Sequence, residues 1–510
     1  MRPHNPASAA TMAKDAPPSS RGMERQGKDS GEAAGAPPSD IETDICVIGA
    51  GSGGLSVAAA AAAFGQKVVL IEKNKMGGDC LNYGCVPSKA LLAAGRRAHA
   101  MRTAGKFGVA PVEPRIDPQA VHDHVKGVIA AIAPNDSVER FTGLGVQVIL
   151  AAGRFTDART VTAGAYRIRA RRFVIATGSS PAIPPILGLE TVPYFTNETI
   201  FDNTGRMDHL VVIGGGPIGL ELAQAHRRLG SRVTVLEGLK ALGKDDPELT
   251  AVALAGLRAE GIDIREGASV ERVEGGPGRV RLYIVTDGRT EVVEGSHVLA
   301  AAGRKPNTND LGLDAAGIKH DKKGVKVNRG LLTSNRRVFA IGDVAGGPQF
   351  THVANYHAGI VIRRALFRVP ATVDRTIIPW VTFTDPELAH VGLTEEQARK
   401  EHKRIGVFRW PYHENDRAQA ERATEGHVKV VTDQGGRILG ATIVGEHAGE
   451  LIQMWSLGVS QRMKIKAFTE WISPYPTFSE INKRAAYRYY ATAASNPLVR
   501  KIIGFLAKFG

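Results

Sequence analysis

One pattern limits the folds open to this 510-residue chain more than any other: strand, glycine turn, helix, strand and acid, occurring twice. Asp44 to Ile48 reads as a buried strand, Gly49-Ala50-Gly51-Ser52-Gly53-Gly54 as a tight turn, the alanine-rich run to Phe64 as a helix, and Lys67 to Ile71 as a second strand ending in Glu72. Leu210 to Ile213, Gly214-Gly215-Gly216-Pro217-Ile218-Gly219, Leu220 to Leu229 and Arg232 to Leu236 repeat that order and end at Glu237. Each acid stands eighteen residues after the last glycine of its turn. In such a βαβ unit the glycines let the backbone and the helix N-terminus approach a pyrophosphate, while the acid accepts hydrogen bonds from a ribose. The expectation is an α/β chain with two dinucleotide sites, one on Gly49, Gly51, Gly54 and Glu72, the other on Gly214, Gly216, Gly219 and Glu237.

Directly after the first acid comes Gly77-Gly78-Asp79-Cys80-Leu81-Asn82-Tyr83-Gly84-Cys85-Val86-Pro87-Ser88-Lys89, which holds two of the three cysteines in the chain. Five residues of regular helix separate two Cα atoms by roughly 7.5 Å of rise, beyond the reach of a disulfide. A bridge between Cys80 and Cys85 therefore needs an irregular turn, which Gly77, Gly78 and Gly84 can supply. Pro87 marks the start of a helix, so Cys85 is expected at its positive end with Lys89 one turn on, a setting that favours thiolate. A redox-active pair is the reading; two reduced core cysteines, or half of a metal site, compete with it. Nothing in the sequence completes a zinc set, and no metal is expected. Cys46, inside the first strand, reads as core.

Three cysteines do not make a secreted disulfide scaffold, and a lone pair fits catalytic use in a reducing, cytoplasmic compartment. The formal charge is +14, and residues 461 to 510 contribute half of that excess, with nine Lys or Arg against two Glu. No nucleic-acid motif accompanies it, so a basic surface that attracts anionic cofactors is expected, and no nucleic-acid partner. No run of eighteen apolar residues occurs, so nothing is expected to span a membrane. Residues 1–40 hold almost no large apolar residues and read as a disordered tail. Residues 41–190 and 318–373 read as the two parts of one domain around the first site, and 191–317 as a second around the other. From 374 to 490 shorter β-like runs mixed with helices suggest an α+β third domain. Residues 491–510 form a basic tail in which Leu498, Ile502, Phe505, Leu506 and Phe509 recur at near-helical spacing. Docking on the parent protein is the expectation for it, and an anionic membrane surface the alternative. Asp343, delivered at the end of the strand-like Val338-Phe339-Ala340-Ile341, stands where ligands of α/β sheets lie.

Across residues 43 to about 490 these motifs, in this order, resemble the class I pyridine nucleotide-disulfide oxidoreductases: dihydrolipoyl dehydrogenases, glutathione reductases and mercuric reductases. The resemblance implies that the first unit binds FAD, with Glu72 on the adenosine ribose, Asp343 near the ribitol, and Gly153, Thr177, Gly178, Ser179, Gln349, Thr351 and His352 lining the site. Lys89 and Glu221 match the family's ion pair near the flavin. The second unit would hold a nicotinamide dinucleotide, with Val270 and Gly303 contributing, and the third domain would form a homodimer interface. In the implied route, electrons pass from the nicotinamide through the flavin to a Cys80–Cys85 disulfide, with Cys85 against the ring and Cys80 exchanging with substrate. Glu237 suits a ribose 2′-hydroxyl and repels a 2′-phosphate, which favours NADH, while Lys240 and Lys244 keep NADPH open.

The chain departs from the family in Ser473-Pro474-Tyr475-Pro476-Thr477-Phe478-Ser479-Glu480. Disulfide-reducing members carry His-Pro-Thr followed by Glu, and Tyr475 occupies the position of that His. An unperturbed Tyr titrates near pH 10, far from the range in which His works as acid and base. Glu480 keeps the family's acid, and His413 is a candidate substitute for the missing imidazole. A Tyr here, and the stretch from Gly77 onward, look most like mercuric reductases, though their C-terminal cysteine pair and N-terminal metal-binding domain are missing. The expectation is a mercuric-reductase-like flavoprotein with a sulfur or soft-metal acceptor. Dihydrolipoyl dehydrogenase is the alternative within the family. A non-catalytic NADH-binding redox sensor and a membrane-surface electron-transfer protein are the alternatives from other classes.

Overall fold

A computed structural model describes residues 39–491 and 497–509. The expectation of a disordered tail over 1–40 falls outside them except at Ser39 and Asp40, which instead begin a strand, Ser39–Ile48. Those two residues are held by pairing with Tyr166 and Arg167 of the neighbouring strand.

Three sheets organise the body. The first has seven strands, in the order Val146–Leu150, Val68–Glu72, Ser39–Ile48, Tyr166–Ile175, Thr160–Ala163 and Gly153–Asp157, with Val338–Ala340 also pairing Tyr166–Ile175. Tyr166–Ile175 is ten residues long, so its first half pairs antiparallel with Thr160–Ala163 and its last three residues pair parallel with Val338–Ala340. The second sheet is wholly parallel, ordered Asp263–Glu266, Arg232–Glu237, His209–Ile213, His297–Ala300, Tyr194–Phe195. Its central strand His209–Ile213 is buried throughout, as is Val68–Glu72 in the first sheet. Continuous apolar runs of this kind belong to parallel sheets covered on both faces. The third sheet is antiparallel, ordered Trp380–Thr382, Glu387–Gly392, Ile438–Gly445, His427–Asp433, Ile405–Pro411. Helix Ala448–Ser460 lays the fully buried Trp455 on its core. The indole Nε1 donates to Asn482 Oδ1 at 2.8 Å, so the burial leaves no orphan donor.

The two glycine turns sit at the C-terminal ends of inner parallel strands, Ser39–Ile48 of the first sheet and His209–Ile213 of the second. Helix Cys85–Thr103 joins these halves by packing against helix Pro217–Arg228. A Cβ on Gly95 would lie 3.4 Å from Ala225 Cα, which is how closely the two helices approach. Gly303 precedes Arg304–Pro306, which pairs antiparallel with Ser179–Pro181 where the chain crosses between the sheets.

The tail corrects one expectation. Helix Pro497–Leu506 forms, but it buries none of its residues, with Phe505 59% exposed and Phe509, in the turn that follows, 74% exposed. It is not docked into the body of this chain. No helix among the described residues is long and apolar enough to cross a membrane.

Candidate active site

The two glycine turns are built alike. Gly49 and Gly214 have φ of 107° and 116°, and a Cβ there would meet the carbonyl oxygens of Ala176 and Ala301 at 2.4 and 2.5 Å. Only glycine serves at such positions. The last glycines, Gly54 and Gly219, let the helix ride against the turn, since a Cβ would meet Gly49 O at 1.9 Å and Gly214 O at 2.0 Å. At the middle glycines, Gly51 and Gly216, a Cβ meets nothing within 4 Å. Their α-hydrogens face open space beside a helix N-terminus, a cradle for an anion that approaches the backbone.

The acids brace these turns. Glu72 accepts from Ala50 N at 2.6 Å and Asn74 N at 2.7 Å; Glu237 accepts from Gly215 N at 2.8 Å and Leu239 N at 2.9 Å. Each carboxylate has about four acceptor sites, so both keep capacity for a hydroxyl donor after fixing the loop. Both turns open into one cavity of about 2340 Å³. That is more than twice the roughly 1,000 Å³ upper end for small-molecule sites, and large enough for two dinucleotides.

The cysteine pair lies against the same space. Gly77 and Gly78 have φ of 83° and 60°, Gly77 N donates to Ala50 O at 3.0 Å, and a Cβ on Gly78 would meet Gly51 Cα at 2.7 Å. The segment is thus held on the first glycine turn. Cys80 falls in the short helix Gly78–Asn82, which breaks at Tyr83 and Gly84 before Cys85 begins the long helix. The break supplies the irregular turn that the spacing requires.

Both cysteines are free thiols, close enough to share a hydrogen bond. Cys85 is exposed to the cavity but hemmed in by protein on its other sides. Its pKa falls to about 6, chiefly through the hydrogen bond from Cys80, with help from the Thr351 hydroxyl and the Lys89 charge against the opposing cost of burial. Cys80 keeps the proton: the same bond, burial and the neighbouring charges push its thiol up. Thr351 Oγ1 lies 3.4 Å from Cys85 Sγ, and Lys89 Nζ lies 2.7 Å from Glu221 Oε2. Glu221 Oε1 accepts from Phe383 N at 3.0 Å, and Lys89 sits 4.3 Å from the Phe383 ring centroid, so three parts of the chain close around this ion pair. Cys46, fully buried, has its thiol pushed up by burial alone and is core.

Asp343 accepts from Ser179 Oγ at 2.5 Å, and burial raises its pKa against the pull of that bond and of Arg304. Gly153, Thr177, Gly178, Ser179, Gln349, Thr351, His352 and Gly303 all line the cavity. Val270 does not. It packs against the core cluster around Val273 and Leu282 in a separate antiparallel sheet of Ser269–Gly276, Arg279–Thr286 and Arg289–Gly295, because its strand turns that side chain inward. Tyr475 and Glu480 are also away from the cavity. Tyr475 is 70% exposed and donates to Asp416 Oδ2 at 2.8 Å, a bond that raises its pKa further. Glu480 pairs with Arg484 at 2.8 Å. His413, in the separate turn Tyr412–Glu414, does not line the cavity of its own chain either.

Two further groups hold the cysteine segment from across the sheets. Arg304 NH2 lies 3.1 Å from an Asp79 oxygen while its Nε donates to Ser179 Oγ at 2.8 Å, and Asn197 donates to Tyr83 O at 3.2 Å. Arg304 lies in Leu299-Ala300-Ala301-Ala302-Gly303-Arg304-Lys305-Pro306, a strand running into a Gly and Pro turn much like Val174 to Pro181, and that likeness is the one trace of this role in the sequence.

Comparison with known proteins agrees with this geometry. Residues 43–358 match the family described as pyridine nucleotide-disulphide oxidoreductase, and 378–486 match its dimerisation domain. A mercuric reductase of Lysinibacillus sphaericus is 36% identical over 449 residues, which is 88% of this chain and 82% of the relative. A dihydrolipoyl dehydrogenase of Geobacillus stearothermophilus is 35% identical over 460 residues, covering 88% and 96%. Among solved structures, LpdA from Mycobacterium tuberculosis superposes with a TM-score of 0.80 at 27% identity, covering 88% of this chain and 99% of that one. The Cu(II) complex of the HOCl-induced flavoprotein disulfide reductase RclA from Escherichia coli gives 0.78 at 27%, covering 86% and 99%. With two glycine cradles, a paired thiol on the first of them and family matches across the first two sheets and the third domain, this chain belongs to the class I pyridine nucleotide-disulfide oxidoreductases and is an FAD-dependent enzyme.

Proposed function

We propose that the protein is an NADH-dependent, mercuric-reductase-like enzyme that passes an electron pair through Cys80 and Cys85 to a soft-metal or sulfur acceptor. The observation that carries this is the unequal thiol pair: Cys85 ionised at neutral pH, Cys80 protonated beside it, and the only phenol of the Ser473–Glu480 loop exposed and neutral in place of a general base. The flavin, when bound, supplies two-electron transfer between a nicotinamide and this pair. On our reading Gly49, Gly51, Gly54, Glu72, Asp343 and the other cavity residues named above hold FAD, and Gly214, Gly216, Gly219, Glu237 and Gly303 hold the nicotinamide dinucleotide. The domain limits read from the sequence, 41–190 with 318–373, 191–317 and 374–490, follow this assignment.

The chain's own groups then divide the work. Lys89, held by Glu221 and Phe383, fixes a positive charge next to Cys85 and so favours its thiolate. Thr351 orients the same sulfur. Cys80 keeps its proton until an acceptor arrives, and gives it up when it bonds to a soft metal or attacks a disulfide. Two electrons from the dithiol reduce Hg(II) to the metal, or a disulfide to two thiols, and Cys80 and Cys85 become bridged. Two adjacent sulfurs match soft cations in chemistry; relatives named mercuric reductase and a structural relative solved with Cu(II) support that acceptor class. A disulfide product needs a proton donor near neutral pH, and Tyr475, hydrogen-bonded to Asp416, is poorly matched to that task. The matched dimerisation domain supports a homodimer, in which the exposed Tyr475 faces outward from its own chain.

The test is anaerobic titration of the purified flavoprotein with NADH, then reoxidation by Hg(II), Cu(II), lipoamide, glutathione disulfide, quinones or oxygen. Fast reoxidation by a soft metal ion is expected. Oxidation of dihydrolipoamide with NAD at the rates of a dihydrolipoyl dehydrogenase would overturn the Tyr475 argument. A tenfold kcat/KM preference for NADPH would overturn the role given to Glu237.

A further inference from the structure

The helix Pro497–Leu506 has a use that the redox site does not explain. At about 100° per residue, Leu498, Val499, Ile502, Ile503, Phe505 and Leu506 fall within an arc of about 160°. Arg500 and Lys501 project from the opposite side, one towards each edge of that arc. Lys508 and Phe509 in the following turn, Ala507–Phe509, continue the two faces. The helix buries none of these side chains: Leu498 is 65%, Ile503 59% and Leu506 57% exposed. From Ile481 to Gly510 the sequence holds six Lys or Arg and no Asp or Glu. Single apolar residues are common on a protein surface, but a contiguous patch of six on one helix is not.

We propose that this helix is a membrane-surface anchor that seats the enzyme on anionic lipid. The charge argues for lipid over protein. With Arg500, Lys501 and Lys508 on its polar side and no acid in the thirty residues from Ile481 to Gly510, the helix carries a net charge complementary to an anionic plane, and two copies of it repel each other. The geometry agrees. Ten residues span about 15 Å, too short to cross a bilayer but sufficient to lie in the headgroup layer with the apolar face sunk about 5–10 Å. Arg500 and Lys501 at the flanks are placed to reach back to phosphate groups while their methylene stems stay apolar. A single short anchor binds weakly; the homodimer presents two, so the second engages at high effective concentration. No residue of the helix lines the cysteine cavity of its own chain, so the anchor sets where the enzyme works and leaves the thiol chemistry unchanged.

The experiment uses full-length holoenzyme and the I502E/F505E variant in sedimentation with vesicles, either of phosphatidylcholine alone or of phosphatidylcholine with an equal amount of phosphatidylglycerol. Wild type is expected to sediment with the anionic vesicles at low salt, at least about tenfold more than with neutral ones, and to be released as salt shortens the Debye length. The variant is expected to stay in the supernatant while its NADH-dependent flavin reduction is unchanged, which shows that it is folded. Equal sedimentation of wild type and variant, or no preference for anionic vesicles, would overturn the proposal. Dissociation of the variant's dimer in analytical ultracentrifugation would also overturn it, because the helix would then be a subunit contact.

Discussion

The low pKa of Cys85 makes a quantitative prediction, because its largest cause is one hydrogen bond from Cys80. Cys80→Ala removes the donor, while Cys80→Ser leaves a hydroxyl in its place. A hydrogen bond to an ionised acceptor contributes about 1.5–3 kcal/mol, and one pKa unit corresponds to about 1.36 kcal/mol. The alanine variant should therefore move the Cys85 midpoint from about 6 up by about 1–2 units, and the serine variant by less than half of that. At pH 7 the thiolate fraction falls from about 90% to between about 50% and 10%. The assay is the pH profile of iodoacetamide alkylation of reduced protein, followed on the peptide that contains Cys85. The midpoint is the quantity to read, because a thiolate of higher pKa is also intrinsically more nucleophilic, which partly offsets its lower population. Midpoints of the alanine variant and wild type within about 0.3 units of each other, or equal shifts in both variants, would refute the assignment of the low pKa to Cys80.

Other consequences are as direct. Gly51→Val should leave the protein folded but nearly free of flavin, since its Cβ enters the open cradle with no protein atom within 4 Å; absorbance at 450 nm relative to 280 nm reads this. Gly54→Ala should instead cost stability, because its Cβ has Gly49 O only 1.9 Å away, and a fall in soluble yield or melting temperature checks it. Lys429→Met should destabilise by about 3–5 kcal/mol: the Lys429 side chain is 4% exposed and pairs with Asp246 at 2.8 Å, Glu248 at 2.9 Å and Glu395 at 2.7 Å. An apparent melting temperature lowered by roughly 5 °C or more would read it. Glu248 has its pKa lowered to about 2, first by Arg409 and then by Lys429, so its contribution is complete above the unfolded value near 4.3 and is lost as the pH falls towards about 2. Wild type should accordingly lose melting temperature between those limits more steeply than Lys429→Met, and parallel acid limbs would contradict the pairing.

The sequence by itself determined the local devices. A glycine turn, the acid that braces it, and a thiol at the first turn of a helix are each made within some thirty residues, and their chemistry follows from backbone geometry: φ above zero at Gly49 and Gly214, an open cradle at Gly51 and Gly216, a helix beginning at Cys85. Cys46 was legible as core for the same reason, as part of a continuous apolar strand. Lys89 with Glu221 was legible only through resemblance, since 132 residues separate them and no local pattern joins them.

Tertiary structure decided what depends on how the sheets meet. It set Arg304 against Asp79, closed Phe383 over Lys89, and gathered Asp246, Glu248 and Glu395 around Lys429 from separate parts of the chain. It turned Val270 inward, kept Tyr475 and Glu480 out of the cavity of their own chain, and left the tail helix unburied. The physical reason is range. Turn and cap energetics act over a few residues, whereas an ion pair or an apolar face is satisfied by whichever surface the finished fold brings within about 4 Å.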